Sequence, residues 1–289
     1  MNTARGPAAR ASSRAGARPV RVIISCEHGG NRVPARYGEW FAGQEDALAS
    51  HRGYDPGALA TARLMAGAAG ATLRFTTISR LLVELNRSPH HPRVFSDIIR
   101  AAPRAVREEV FERFYVPYHQ VIAADVAAAI ARGALVVHIG SHSFTPVFDG
   151  VERQADAGIL YDPARALEAR FAAHWVEALR ARGAGVVRRN YPYEGRNDGL
   201  PTLLRRRFAP DDYLGLELEV NQRHALAGGA TWRRLQRGIA AALPDALRAF
   251  APEAGASWPS RPRGARESAR RSREAAPGAD SRAGSPAGR

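Results

Sequence analysis

Three apolar runs each finish on side chains that bind metals or move protons. The run 20–25 leads into Cys26-Glu27-His28-Gly29-Gly30, and the run 134–139 into Gly140-Ser141-His142-Ser143. The run 214–220 carries Glu217 and Glu219 ahead of Asn221-Gln222-Arg223. His28 stands just beyond its run, beside glycines that let the backbone turn sharply. A rigid strand end with a loop alongside suits a metal ligand, because it fixes the imidazole and leaves coordination positions open. His142 holds the matching place on its own run. Either histidine alone reads as a hydrogen-bonded loop residue; the two together favour one shared site, most simply a hydrolytic metal centre.

A catalytic zinc takes three protein ligands and keeps a position for water, so a third ligand must come from elsewhere. His51 and Asp55, in His51-Arg52-Gly53-Tyr54-Asp55, are the nearest candidates. Asp55 reads equally as the N-cap of a following helix, and a carboxylate oxygen given to backbone donors is less available to a cation. Glu27 is a further candidate, with a solvated or Arg-paired loop carboxylate as its plainer reading. Glu217 and Glu219 alternate with Leu216, Leu218 and Val220, so both project from one sheet face. A carboxylate buried there is costly unless paired or used. One of the two could serve as general base and pass the proton to a leaving amine; the other reading is a structural Glu–Arg pair. The residues alone do not choose between the two glutamates.

Arg80, Asn86 and Arg87 suit a bidentate clamp for a substrate carboxylate, and the polar, aromatic loop 190–199, with Arg196, could form one wall of a site. Plain surface arginines are the simpler alternative. His138 within its apolar run and Tyr118-His119 on a helix read as core residues, His90-His91 as a solvated loop, and Cys26 as a buried thiol.

These side chains need a scaffold. Short apolar runs read as buried, mostly parallel strands, and ligands in such sheets bind beyond the carboxyl ends of the strands. The pattern predicts a helix over 55–68 with Asp55 as cap, Pro56 in its first turn and Gly67 and Gly70 at its end. A strand follows over 71–78, and 81–85 extends or pairs beside it. The stretch 103–131 reads as a long helix that Pro117 kinks or splits. After strand 134–139 come an irregular loop 141–155, a strand 158–161, a helix 163–182 and a strand 185–188. The last strand is 213–220 and the last helix 231–250. Alternating strands and helices give an α/β fold with a mixed, mostly parallel sheet flanked by helices. It forms one domain, 19–250, between a tail 1–18 and a basic tail 251–289, both too poor in apolar residues to bury surface and so expected to be disordered.

The chain has 289 residues and a formal charge of +14. All of its basic residues other than histidine are arginine. Residues 1–18 hold four Arg and no acid, and 253–289 hold eight Arg against four acids, which leaves about +6 for the rest. The basicity therefore reads as tail and composition, and no helix pairs a basic stripe with aromatics as a reader of bases does; no nucleic-acid partner is expected. One cysteine fits a reducing compartment. No apolar run is long enough to span a membrane or to resemble a secretory signal, so a soluble, cytoplasmic protein is expected.

In order along 20–245, these segments resemble the N-formylglutamate amidohydrolase family. Cys26-Glu-His-Gly-Gly-Asn-Arg-Val-Pro34 looks like its first His-bearing turn, and His51-Arg-Gly-Tyr-Asp55-Pro-Gly-Ala like its second motif. Ser79-Arg80-Leu-Leu-Val-Glu-Leu-Asn86-Arg87 is similar to its Ser-Arg-Leu…Asn-Arg block. Gly140-Ser-His142-Ser-Phe and Leu218-Glu219-Val-Asn221-Gln-Arg223 resemble the last two. The resemblance implies a metal-dependent amidohydrolase with a three-layer fold like that of zinc carboxypeptidases. It implies zinc on His28 and His142, Glu219 as base because it precedes Val-Asn, and substrate-carboxylate contacts from Arg80, Asn86 and Arg87. The carboxypeptidase carboxylate ligand, three residues after the first His, falls here on Asn31; Asp55 takes its place, with Glu27 behind it. The substrate class implied is a small N-formyl or other N-acyl amino acid. Formylglutamate-specific members often show Pro-His-Ser-Gly where this chain has Glu27-His28-Gly29-Gly30, which points to a related subfamily. The alternatives are a carboxypeptidase or other amidase of the same fold and, in another class, a basic non-enzymatic nucleic-acid-binding protein.

Overall fold

The computed structural model describes residues 17–259; the remainder of both expected tails lies outside the described residues. Strand β1 (Arg18–Cys26) is followed by a 3-10 turn (Ala35–Phe41), α1 (Glu45–Ala49), α2 (Ala58–Ala69) and β2 (Thr72–Phe75). Helices α3 (Asp97–Arg100), α4 (Arg104–Val110) and α5 (Val116–Ala131) lead to β3 (Leu135–Phe144) and a small hairpin, β4 (Val147–Phe148) and β5 (Val151–Glu152). Then come β6 (Ala157–Leu160), α6 (Ala166–Ala181), β7 (Val187–Arg189), α7 (Leu200–Arg205) and β8 (Tyr213–Asn221). The chain closes with α8 (Gln222–Ala227), α9 (Gly229–Glu253) and β9 (Ala256–Ser257).

The main sheet runs β2-β1-β3-β8-β6-β7, with β9 beside the start of β1. Only the β6–β8 pair is antiparallel. This is the expected mixed, mostly parallel sheet between helical layers. Period-two alternation divides its faces. Val20, Val22, Ile24, Val137, Ile139, Leu214, Leu216 and Leu218 enter one core with residues of α2, α6 and α9. The opposite face is apolar at its lower end, where Ile23, Val136 and Tyr213 pack with α5 and α7. Toward the strand ends it turns polar: Gly140 pairs in register with Glu217, and His142 with Glu219. Parallel neighbours in register share a face, so His142 and both glutamates point the same way.

Several elements differ from expectation. Helix α2 starts at Ala58 behind Gly57 in the left-handed region (φ 83°), with no side-chain cap. Asp55 therefore contributes only its carbonyl to that turn, accepting from the Ala58 amide at 3.1 Å. β2 covers only Thr72–Phe75, and 81–85 is buried without joining the sheet. The 103–131 stretch is interrupted by a π-helical turn at Phe111–Tyr115, just before Pro117. Proline has no amide proton for the carbonyl four residues earlier, and a widened turn accommodates that loss. β3 continues past Ile139 because its ladder with β8 runs on to Phe144 and Asn221. His142 is thus a strand residue, and the expected loop 141–155 also contains the β4–β5 hairpin. Helices α1, α3, α7 and α8 were not anticipated. The folded unit also extends beyond 250: Ala256 and Ser257 pair with Arg18 and Pro19, and Trp258 packs on the first core.

Candidate active site

The turn after β1 is held by its neighbours. The Asp55 amide donates to the His28 carbonyl at 3.0 Å, and the Ser79 hydroxyl and Arg80 amide both donate to the Gly53 carbonyl. Gly53 is required there, since a Cβ would lie 2.1 Å from the Leu48 carbonyl oxygen. A Cβ on Gly29 would likewise meet the Thr76 carbonyl oxygen at 2.6 Å. Segments around 28, 54 and 80 are thereby locked together at the carboxyl end of β1, beside His142 on β3.

His28, Asp55 and His142 converge, all buried, with one potential ligand atom from each within 4.8 Å of the others. Asp55 Oδ2 lies 3.2 Å from His28 Nδ1 and 3.1 Å from His142 Nδ1. Two imidazoles and a carboxylate are the donor set of a catalytic zinc. With bonds of roughly 2.0–2.1 Å, ligand atoms of a tetrahedral site stand about 3.4 Å apart, close to the two spacings from Asp55 Oδ2. The far ring nitrogens also have the partners such a site needs. His28 Nε2 is hydrogen-bonded to Glu84 Oε1 at 2.5 Å, and His142 Nε2 stands 3.1 Å from Glu27 Oε2 as an ion-pair contact without hydrogen-bond alignment. A proton on each Nε2 leaves both Nδ1 lone pairs facing Asp55. The residues present fit a divalent cation.

Glu27 therefore sits behind His142, not among the converging ligand atoms, and its other oxygen accepts from the Tyr118 hydroxyl at 3.0 Å. Arg80 spans the outer side. It donates to Glu84 from Nε at 2.8 Å and Nη2 at 2.5 Å, and from Nη1 to Asp55 Oδ1 at 3.3 Å. Glu84 and Tyr118 are the two contributors that sequence reasoning missed. Glu84 left a faint trace, as the one charge in Leu81-Leu82-Val83-Glu84-Leu85 and four residues after Arg80; Tyr118 left none.

The two β8 glutamates separate clearly. Glu217 Oε1 accepts from Asn86 Nδ2 at 2.8 Å. Glu219 is buried and its Oε2 has no hydrogen-bond partner. Burial, reinforced by the charges of Asp55 and Glu217 against the opposing pull of His142, pushes the Glu219 carboxyl up to about 8. The surrounding groups are charged. Burial works against ionisation of Glu27, but the adjacent His142 holds it down to about 2. Asp55 is also buried, and His28, His142 and Arg80 keep it well below the usual carboxylate range. Burial depresses both histidines, yet Glu84 and Asp55 raise His28, and Asp55 and Glu27 raise His142.

Of the remaining candidates only Asn86 stays beside the cluster among the described residues, its Nδ2 3.5 Å from His142 Nε2. Asn86 also accepts from the Leu200 amide through Oδ1, and Arg87 Nη1 donates to the Asp198 carbonyl at 2.6 Å; the expected clamp is occupied by the fold. Arg196 and His51 are exposed, and no hydrogen bond among the described residues ties either to the cluster. Asn221 is structural in its contacts: it donates to the Arg153 and Ala155 carbonyls and caps α8 by accepting from the Arg223 amide. His138, as expected of a core histidine, is satisfied, by Tyr213 and Ser25.

Within this α/β scaffold, a buried carboxyl of near-neutral proton affinity beside a His-Asp-His cluster is the equipment of a hydrolase. The family model for N-formylglutamate amidohydrolase matches residues 20–226, and the chain belongs to that family. It is accordingly an amidohydrolase, acting on C–N bonds other than peptide bonds. Among solved structures, a gene product of Agrobacterium tumefaciens is similar at 32% identity, with 81% of this chain and 89% of that one covered and a TM-score of 0.63. An N-formylglutamate amidohydrolase from Ralstonia eutropha is similar at 21% identity, covering 79% of this chain and 93% of that one with a TM-score of 0.57. A metallo-carboxypeptidase from Burkholderia cenocepacia, at 13% identity over 81% of this chain and 58% of its own, has a TM-score of 0.37, too low to carry an argument. No curated protein matches the chain. Among the described residues, no helix is long and apolar enough to cross a membrane.

Proposed function

We propose that this amidohydrolase is metal-dependent and cleaves N-formyl or closely related N-acyl amino acids, N-formylglutamate among them, to the carboxylate and the free amino acid. The observation that carries the reading is the convergence of two Nδ1 atoms and one carboxylate oxygen on the rung of the sheet that also bears Glu219. His28, Asp55 and His142 would hold the ion, with zinc best suited to that donor set. When bound, such an ion polarises the amide carbonyl and makes water acidic near neutral pH.

Glu219 is the general base. A carboxyl whose proton affinity lies near neutrality can take a proton from the attacking water and return it to the leaving nitrogen. Glu84 and Glu27 fix the orientation and tautomer of the two histidines from behind. Asn86 holds Glu217 aside, so Glu219 alone meets the reactants. Arg80 keeps its charge at every accessible pH under the pull of Glu84 and Asp55, and its exposed edge offers a donor to the α-carboxylate of the substrate. We place the enzyme in the cytoplasm, a compartment that a single buried Cys26 fits.

Elemental analysis coupled to formate release from N-formylglutamate tests this, with N-acetyl amino acids and dipeptides as comparators. The expectation is about one equivalent of divalent metal per chain, lost in His28→Ala and His142→Ala, and formate release that requires it. Full turnover by metal-stripped protein, or cleavage of dipeptides alone, would remove the proposal.

A further inference from the structure

Two arginines among the described residues are nine-tenths buried or more, Arg153 at 8% and Arg205 at 9% exposure. Arg205 is compensated as a buried cation must be: Nε and Nη2 each reach Glu168 at 3.0 Å, and backbone carbonyls take other donors. Arg153 has no ion-pair partner among the described residues. Its side chain makes three contacts, all from Nη1 and all to neutral oxygens: the Thr145 carbonyl at 3.4 Å, the Thr145 hydroxyl at 3.1 Å and the Tyr193 hydroxyl at 3.4 Å. Nε and Nη2, the edge that forms the bidentate fork with a carboxylate, donate to no described residue.

The guanidinium is instead sheathed by aromatic rings. Its carbon stands 4.7 Å from the Phe148 ring centre, 5.3 Å from Tyr193 and 5.8 Å from Phe144. Phe148 and Tyr193 are themselves exposed, so the sheath opens to solvent. Its place in the sheet is fixed from two sides. Phe144 follows His142 by two residues on the same face of β3, and its register partner is Asn221. Asn221, two residues after Glu219, donates to the Arg153 carbonyl. Arg153 is thus anchored by backbone and side chain to the Phe144–Asn221 rung, which lies one beyond that of His142 and Glu219, roughly 7 Å along the strands. That is the reach of an amino-acid side chain of two or three carbons.

We propose that Arg153 is a specificity-determining residue of this enzyme, pairing with a side-chain carboxylate of the N-acyl amino acid whose amide lies against Glu219. The proposal rests on the function argued above and assigns it an acidic substrate. The rings flank the ion pair and lower the local dielectric around it, which strengthens it, while Arg80 remains for the α-carboxylate.

Three compounds distinguish the possible anchors: N-formylglutamate, N-formylglutamine, which lacks the distal charge, and 4-formamidobutyrate, which lacks the α-carboxylate. Wild-type enzyme should favour N-formylglutamate over N-formylglutamine by about 100-fold in kcat/KM, chiefly through KM. Arg153→Met should erase that preference and lower activity on 4-formamidobutyrate, while moving N-formylglutamine by less than about threefold. Arg153→Lys should restore part of the preference. Equal losses on all three compounds in Arg153→Met would overturn the proposal. So would wild-type discrimination below about threefold between glutamate and glutamine derivatives, a measurement that needs no variant. A wild-type enzyme that cleaves none of these compounds, nor any other N-acyl amino acid, would instead remove the function itself and this assignment with it.

Discussion

The role proposed for Glu219 rests on a buried Oε2 without a hydrogen-bond partner: Asp55, Glu84 and Glu217 each accept from a neighbour, and Glu27, whose Oε2 likewise lacks a hydrogen bond, is held charged against His142. The isolation of Glu219 has an energetic sign. Its carboxyl titrates at about 8 in the folded chain against an ordinary 4.5, so folding tightens its hold on the proton. The stability this brings is fully present below about 4.5 and is lost as pH rises through about 8. Glu219→Gln, which cannot ionise, should therefore behave oppositely in the two assays. Turnover should fall by about 10²–10⁴-fold with metal content unchanged. In metal-free protein, thermal melts should match wild type near pH 4.5 and lie above it from pH 8 upward. A variant that keeps wild-type turnover would take the role of base from Glu219; one that melts below wild type at pH 8 would mean that its second oxygen is paired.

At the scale of elements, the strands were the legible part. The apolar runs 20–25, 134–139 and 214–220 marked them, and alternation put Glu217 and Glu219 on one face; the register that sets His142 beside Glu219 depends on β3 running past Ile139, which those runs do not show. Asp55 could not be decided from sequence, because the choice between cap and ligand depended on where α2 starts. That start is set by the left-handed turn at Gly57, which composition does not reveal. Glu84 was harder still. It lies in a buried segment without regular structure, and its partner is His28, 56 residues away. Asn221 shows how a motif residue can serve the scaffold. It ties the end of β8 to 153–155 and caps α8, using both ends of its amide. Asn221→Ala should lower stability by about 2–3 kcal/mol, from two lost buried hydrogen bonds and a lost cap. Denaturant melts should register that loss with metal stoichiometry intact. A destabilisation under about 0.5 kcal/mol would show that water replaces the amide.

For the molecule as a whole, the charge balance is inverted at its centre. The chain carries +14, yet among the described residues Glu27, Asp55, Glu84, Glu217 and Glu219 gather around two histidines and Arg80. Without an added cation, the histidines themselves are drawn toward the charged form. A divalent ion held by their Nδ1 atoms, as proposed, would displace those protons, so its binding would weaken as pH falls and would add to the stability of the folded state alone. At a free metal concentration 100 times Kd the gain is about 2.7 kcal/mol. For a folded unit of this size, each kcal/mol moves the melting temperature by roughly 2–4 °C. Chelation should thus lower Tm by about 5–10 °C at pH 7.5, less at pH 5.5, and not at all in His142→Ala. If chelation instead lowered wild type and His142→Ala equally, the ion that stabilises the fold would have to lie away from these three residues.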